Sequence, residues 1–121
     1  MATDNTFFLK DTYDNDIGLD INEDVLERIY GDNIKPTDEL NINFAFITDT
    51  RDKADNFANV LKSTYKSYTD IKVGPYEDLF EVIGMTDKIK MNLQDINDWN
   101  KKMWDLGYIH DCKLDGWYVG S

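Results

Sequence analysis

Two amphipathic helical stripes, set among short runs of alternating apolar residues, leave this chain few ways to fold. After Thr48-Asp49-Thr50, three good helix caps in a row, the residues Ala54, Phe57, Ala58, Leu61 and Tyr65 recur at the i, i+3, i+4, i+7 spacing of one buried face. Asp49 and Asp52 suit the positive end of that helix dipole. After Asn92, a second cap, Ile96, Trp99, Met103 and Leu106 follow at steps of three, four and three. Gly107 is expected to end this second helix in a left-handed conformation. Four strand-like runs surround the helices. In Leu40–Thr48, Ile42, Phe44 and Phe46 point one way and Asn43, Ala45 and Ile47 the other. Tyr68–Val73 comes next and is punctuated by Gly74-Pro75. Leu79–Met85 places Phe80 and Val82 on one face, and its closeness to the preceding run predicts an antiparallel hairpin. Last, in His110–Val119, Cys112 and Leu114 share a face ahead of the turn-prone Asp115-Gly116. The order strand, helix, strand, strand, helix, strand predicts an α+β fold. It is a ferredoxin-like βαββαβ sandwich, with a four-stranded antiparallel sheet and two helices on one face.

Upstream of this unit the pattern predicts a short helix. Asn22 reads as its cap, Val25, Leu26 and Ile29 as its apolar stripe, and Gly31 as its end, with Pro36 barring continuation. Residues 1–21 have few periodic apolar positions and several acids, so they read as an acidic arm, extended or a short strand. Residues 22–121 then form a single domain, of a size that buries a core without disulfide or metal support.

The net charge of −11 is unevenly placed. Residues 1–40 hold 11 acids and 3 bases, a net of −8, whereas residues 41–121 hold 13 acids and 10 bases, a net of −3. Phosphate contacts need Lys and Arg to displace counterions, so direct nucleic-acid binding is disfavoured. An acidic surface suits a basic protein partner whose approach it would steer, although surplus acid also serves solubility. No run approaches the roughly 18 apolar residues that span a bilayer. Nor does the start, Met1-Ala2-Thr3-Asp4-Asn5, have the basic and apolar regions of a signal peptide. No membrane contact and a cytoplasmic location are expected.

Little in the chain points to catalysis. The only histidine, His110, lies two residues from the only cysteine, Cys112. On a strand they would share a face with Cβ atoms roughly 6–7 Å apart, which is long for a thiol–imidazole bond. One Cys and one His cannot complete a zinc shell without recruited carboxylates. Asp14, Asp16 and Asp20 around Gly18 faintly suggest a calcium loop, but Gly18 falls one residue early for the EF-hand spacing. The seven glycines form no phosphate-cradling loop. The expectation is a protein that is no enzyme, with no cofactor, no metal and no small-molecule substrate.

A set of ordered segments then resembles a known family. The run Val25-Leu26-Glu27-Arg28-Ile29-Tyr30-Gly31-Asp32-Asn33 with Lys35-Pro36 is similar to the helix, glycine turn and proline that open the ribonuclease E inhibitor family (regulator of RNase E activity B). Ile42-Asn43-Phe44-Ala45-Phe46 is similar to the aromatic first strand of those proteins, and Leu114-Asp115-Gly116-Trp117 to their closing Tyr-Asp-Gly-Trp signature. Leu114 stands where the family has tyrosine, and Tyr118 where a glycine commonly follows the tryptophan. The resemblance implies a ferredoxin-like fold and a bacterial regulator that binds an RNA-degrading enzyme and modulates it without catalysis. The expected partner is a basic ribonuclease or its associated segment. A different class, an immunity protein neutralising a basic toxin nuclease, has the same acidic signature, and a toxin gene alongside would distinguish it.

Aromatic residues offer contact points for such a partner. Trp99 lies on the apolar stripe of the second helix and is expected in the core, with Trp104 at its margin and half exposed. Trp117 either plugs the sheet edge, the commoner use of a terminal tryptophan, or anchors a partner. The candidate partner-binding residues are Asp115, Gly116, Trp117, Tyr118 and Trp104.

Overall fold

A computed structural model of the chain describes residues 5–119. Along the sequence run helices α1 (Lys10–Asn15) and α2 (Asp20–Tyr30), strand β1 (Glu39–Thr48) and helix α3 (Arg51–Thr64). The hairpin strands β2 (Thr69–Tyr76) and β3 (Leu79–Lys90) follow, then helix α4 (Leu93–Ile109) and strand β4 (Lys113–Tyr118). All pairings are antiparallel and the strand order is β2-β3-β1-β4, which is the ferredoxin-like arrangement expected from the element order.

Both long helices cover the same face. Phe44 and Phe46 point to one side of β1. The Phe46 ring meets Phe57 of α3 edge-on at 4.6 Å, while that of Phe44 lies 6.4 Å from Trp99 of α4. Ala54, Phe57, Ala58 and Leu61 from α3 and Ile96, Trp99 and Met103 from α4 are all buried on this face, as their spacing predicts. Each helix starts where the sequence put its cap: Thr50 Oγ1 accepts from the Lys53 N–H, and Asn92 Oδ1 from the Asp95 N–H. Opposite Phe44 the sheet has Gly84, where a Cβ would come within 2.7 Å of the Phe44 ring.

Several local expectations are overturned by the surrounding structure. The stretch expected as an extended arm carries α1, and Phe8 just before it is fully buried among the core residues. Asn22 does not cap α2: the helix begins at Asp20, and Asn22 lies inside it with a buried amide. Gly31 is the C-cap of α2 as expected, but the left-handed residue beyond it is Asn33, at φ +67°. Gly74-Pro75 does not end β2, which runs on to Tyr76. Because β2 is the outer strand, a proline without an N–H is tolerated there. Gly107 is not left-handed and α4 continues past it to Ile109. Glycine is required there for room, since a Cβ would lie 2.1 Å from the Cys112 carbonyl oxygen. The left-handed turn falls to Asp111, at φ +56°. Finally, Asp115-Gly116 is no turn. It lies inside β4 at a register shift against β1, where Ala45 pairs with Gly116 and Phe46 with Leu114.

The backbone of the segment before α1 is tied down chiefly by one side chain, with Asn5 donating to the Tyr108 carbonyl and the Thr6 hydroxyl to Asp49 beside it. The Asp111 carboxylate accepts the backbone N–H groups of Thr6 (2.9 Å), Phe7 (3.1 Å) and Phe8 (2.6 Å), and also the Lys53 ammonium at 2.6 Å. Burial pushes this carboxyl up, but Lys53 and the three N–H groups outweigh it and hold it below its ordinary value. Asp49 is governed the same way: burial raises it, and Lys53 with the Thr6 hydroxyl lowers it further. No helix among the described residues is long and apolar enough to cross a membrane.

Candidate functional site

The five residues singled out from sequence fall in two places. Asp115, Gly116, Trp117 and Trp104 border one shallow groove of about 160 Å³, whose far side is Ile17, Gly18 and Ile21 around the start of α2. Tyr118 points to the opposite face of the sheet. There, 63% exposed, it lies at a hollow with Asn43, Glu81 and Ile83.

Trp104 is not half exposed but 3% exposed, which corrects the sequence expectation. Its indole N–H donates to the Tyr13 carbonyl at 2.9 Å, and the Phe8 ring packs on it edge-on at 4.6 Å. The covering comes from the segment that looked like an arm, so helix periodicity alone could not reveal it. Trp117 is half-buried on the helix side of β4. Its N–H donates to Asn22 Oδ1 at 2.8 Å, and the Asn22 amide donates in turn to Asn97 (2.9 Å) and Asn100 (3.2 Å) of α4. Three elements (α2, α4 and β4) are thus joined through one buried amide, and the Trp117 indole closes that seam. Asp115 and Gly116 remain exposed at the groove margin.

Two further features lie outside those five residues. The first is the outward side of α1 and α2, where Asp11, Asp14, Asp16, Asp20, Glu23, Asp24 and Glu27 are all exposed. Of these only Asp14 has an ion-pair partner among the described residues, Lys10 at 2.7 Å. The second is a cleft of about 510 Å³ between the end of α3, the start of α4 and the far end of β3. Its walls include Tyr65 and Tyr68, whose rings stack 4.7 Å apart at an interplanar angle of 16°. The Trp99 N–H donates to the Tyr68 hydroxyl at 3.2 Å, and burial pushes that phenol up to about 12. Carboxylates and lysines share the rim. A Tyr-x-x-Tyr pair just past a helix end was the available sequence signal.

The one cysteine and one histidine do not form a reactive pair. His110 is the C-cap of α4 rather than a strand residue, and its ring tilts against Phe57 at 5.6 Å. Burial lowers its pKa, so the imidazole is neutral near pH 7. Cys112 is fully buried, and burial pushes its thiol up to about 12, far from a nucleophilic thiolate. Among the described residues no three His, Cys, Asp or Glu side chains are grouped so as to hold a metal ion. What the surface offers is charge, exposed aromatic edges and clefts suited to contact.

Comparison with known families gives a match to the one described as regulator of ribonuclease activity B, over residues 19–119. No curated protein matches the chain.

Proposed function

Because the chain belongs to the family of regulators of ribonuclease activity B, we propose that it binds a ribonuclease through a carboxylate-rich surface and modulates RNA degradation by contact alone. The observation that carries this reading is the row of exposed acids on α1 and α2, almost without compensating cations, on a chain of net charge −11. Such a surface attracts a cationic segment of a nuclease, raises the rate of encounter, and repels the phosphates that the same segment would otherwise engage. Occupying that segment lowers or redirects RNA processing with no reaction by the regulator. The exposed Asp115 and Gly116, the Trp117 edge and Tyr118 are the contact points nearest the signature at the end of the chain, whereas Trp104 is withdrawn into the interior. Action in the cytoplasm accords with such a partner.

The test is affinity purification from cell extract with the full chain as bait, at about 50 mM and about 300 mM salt, since exposed charges beyond a Debye length are screened at the higher value. A ribonuclease is recovered at low salt and depleted at high salt. Recovering no nuclease overturns the reading. Recovering a toxin nuclease instead of an RNA-processing enzyme moves the chain to the immunity class.

A further inference from the structure

We propose that the 510 Å³ cleft between α3, α4 and β3 seats an arginine side chain projecting from a basic segment of the protein partner. The proposal rests on the partner reading above and adds where and by what chemistry the segment is gripped. The cleft is bordered by a stacked aromatic pair: the Tyr65 ring lies face to face on Tyr68, whose hydroxyl accepts from the Trp99 indole, so the pair offers an outer ring face as a platform. A planar guanidinium stacks on such a face, whereas a compact ammonium does so less well. Around the wall stand four carboxylates: Asp95 and Asp98, three residues apart on α4, with Asp87 and Glu39 from the sheet side. None of them has a cationic partner, because the four ion pairs among the described residues lie elsewhere. Among the described residues Asp98 accepts only from the neutral Gln94 amide, and Asp87 from the Ser67 hydroxyl at 3.1 Å. Uncompensated carboxylates beside a stacking platform are the two halves of an arginine site, since the guanidinium fork donates in its own plane while its face rests on the rings.

Lys88, Lys90 and Lys102 share the rim and also lack ion-pair partners among the described residues. With an aromatic wall they raise the alternative of a stacked nucleotide base. The charge balance decides against it: four carboxylates face three ammonium groups in the cleft, and the whole chain carries −11. The lysines instead act as a filter. They repel an uninterrupted run of cations and leave room for one arginine between neutral or acidic neighbours.

Nuclear magnetic resonance titration of the full chain tests this with three probes: a capped hexapeptide with one central arginine, its lysine counterpart, and a short single-stranded oligouridylate. The arginine peptide shifts the signals of Tyr65, Tyr68, Asp95 and Asp98, and the lysine peptide binds about tenfold more weakly. The double variant Asp95→Asn with Asp98→Asn, whose folding is checked by its thermal transition, loses the arginine response by about tenfold or more. Equal response to both peptides, an unchanged response in the double variant, or preferential binding of the oligouridylate overturns the proposal. Repeating the extract purification with the double variant separates the two readings. A nuclease recovered equally by both baits sinks the cleft alone. A cleft that binds the arginine peptide on a bait that recovers no nuclease sinks the ribonuclease reading alone.

Discussion

Replacing Asp111 with asparagine tests the physical account of how the amino-terminal segment is held. Asparagine tolerates the left-handed backbone at φ +56° and keeps one acceptor oxygen, so the turn itself survives. What is lost is the oxygen that accepts from Lys53 at 2.6 Å and from the Thr6 N–H at 2.9 Å, replaced by an NH₂ that faces two donors. The Asp111 side chain is 6% exposed and that of Lys53 29%, so solvent screens the pair only partly. Two hydrogen bonds to a charged group contribute about 1.5–3 kcal/mol each. The loss is capped, because residues 5–8 can detach and surrender the burial of Phe8, itself about 1.5–3 kcal/mol. A net destabilisation of about 2–4 kcal/mol follows, or a midpoint lowered by about 8–16 °C at about 4 °C per kcal/mol for a chain of this size. The assay is thermal unfolding by circular dichroism across pH. The folded carboxyls of Asp111 and Asp49 sit below their ordinary 3.8, so their stabilisation is complete above that value and is lost as pH falls through the depressed folded values. The gap between the natural chain and the variant is therefore wide at neutral pH and closes in strong acid. A variant that melts with the natural chain at pH 7, or a gap of the same width at about pH 2, refutes the reasoning.

Three other perturbations probe separate parts of the molecule. Gly107→Ala places a Cβ 2.1 Å from the Cys112 carbonyl oxygen, a backbone atom, and 3.2 Å from the buried Phe46 ring, so it costs about 3 kcal/mol or more by chemical denaturation; a change below about 0.5 kcal/mol contradicts the packing described. The buried Cys112 resists a thiol reagent at pH 8 in the native protein and reacts fully in urea, whereas rapid native labelling would place it at the surface. Trp117→Phe keeps an aromatic ring but leaves the Asn22 oxygen without its donor, lowering stability by about 1–3 kcal/mol. If Trp117 serves only to close the seam, recovery of the nuclease is unchanged once folding is matched, and a selective loss of recovery makes it an anchor instead.

The sheet and its two covering helices were legible in the sequence because each depends on a repeat carried within one segment. Phe44 and Phe46 alternate, Ala54 to Leu61 recur at helical spacing, and Thr50 and Asn92 cap as their chemistry predicts. The errors share a different cause. Gly107 looked like a helix end, but its role is set by Cys112 approaching from the turn ahead of β4. Asn22 looked like a cap, and is buried because Trp117, Asn97 and Asn100 converge on it from elsewhere. Asp115-Gly116 has turn chemistry, and the same freedom is used for a slip in register beside β1. Phe8 carried no periodic signal, since it is held by Asp111, over a hundred residues away. Of the candidate site, the signature residues at the end of the chain were visible, while the stacked tyrosines and the carboxylates around them come from four parts of the chain (β1, the α3–β2 connection, β3 and α4) that only the fold assembles.

The two outer strands bear on how such a molecule behaves in quantity. On one margin, β2 carries Pro75, which has no N–H to offer, and a left-handed Asp70 where its pairing slips. On the other, β4 is six residues long and bulges at Asp115. Neither border presents an unbroken ladder onto which another polypeptide could be laid, so copies of the protein have no template for stacking into fibrils.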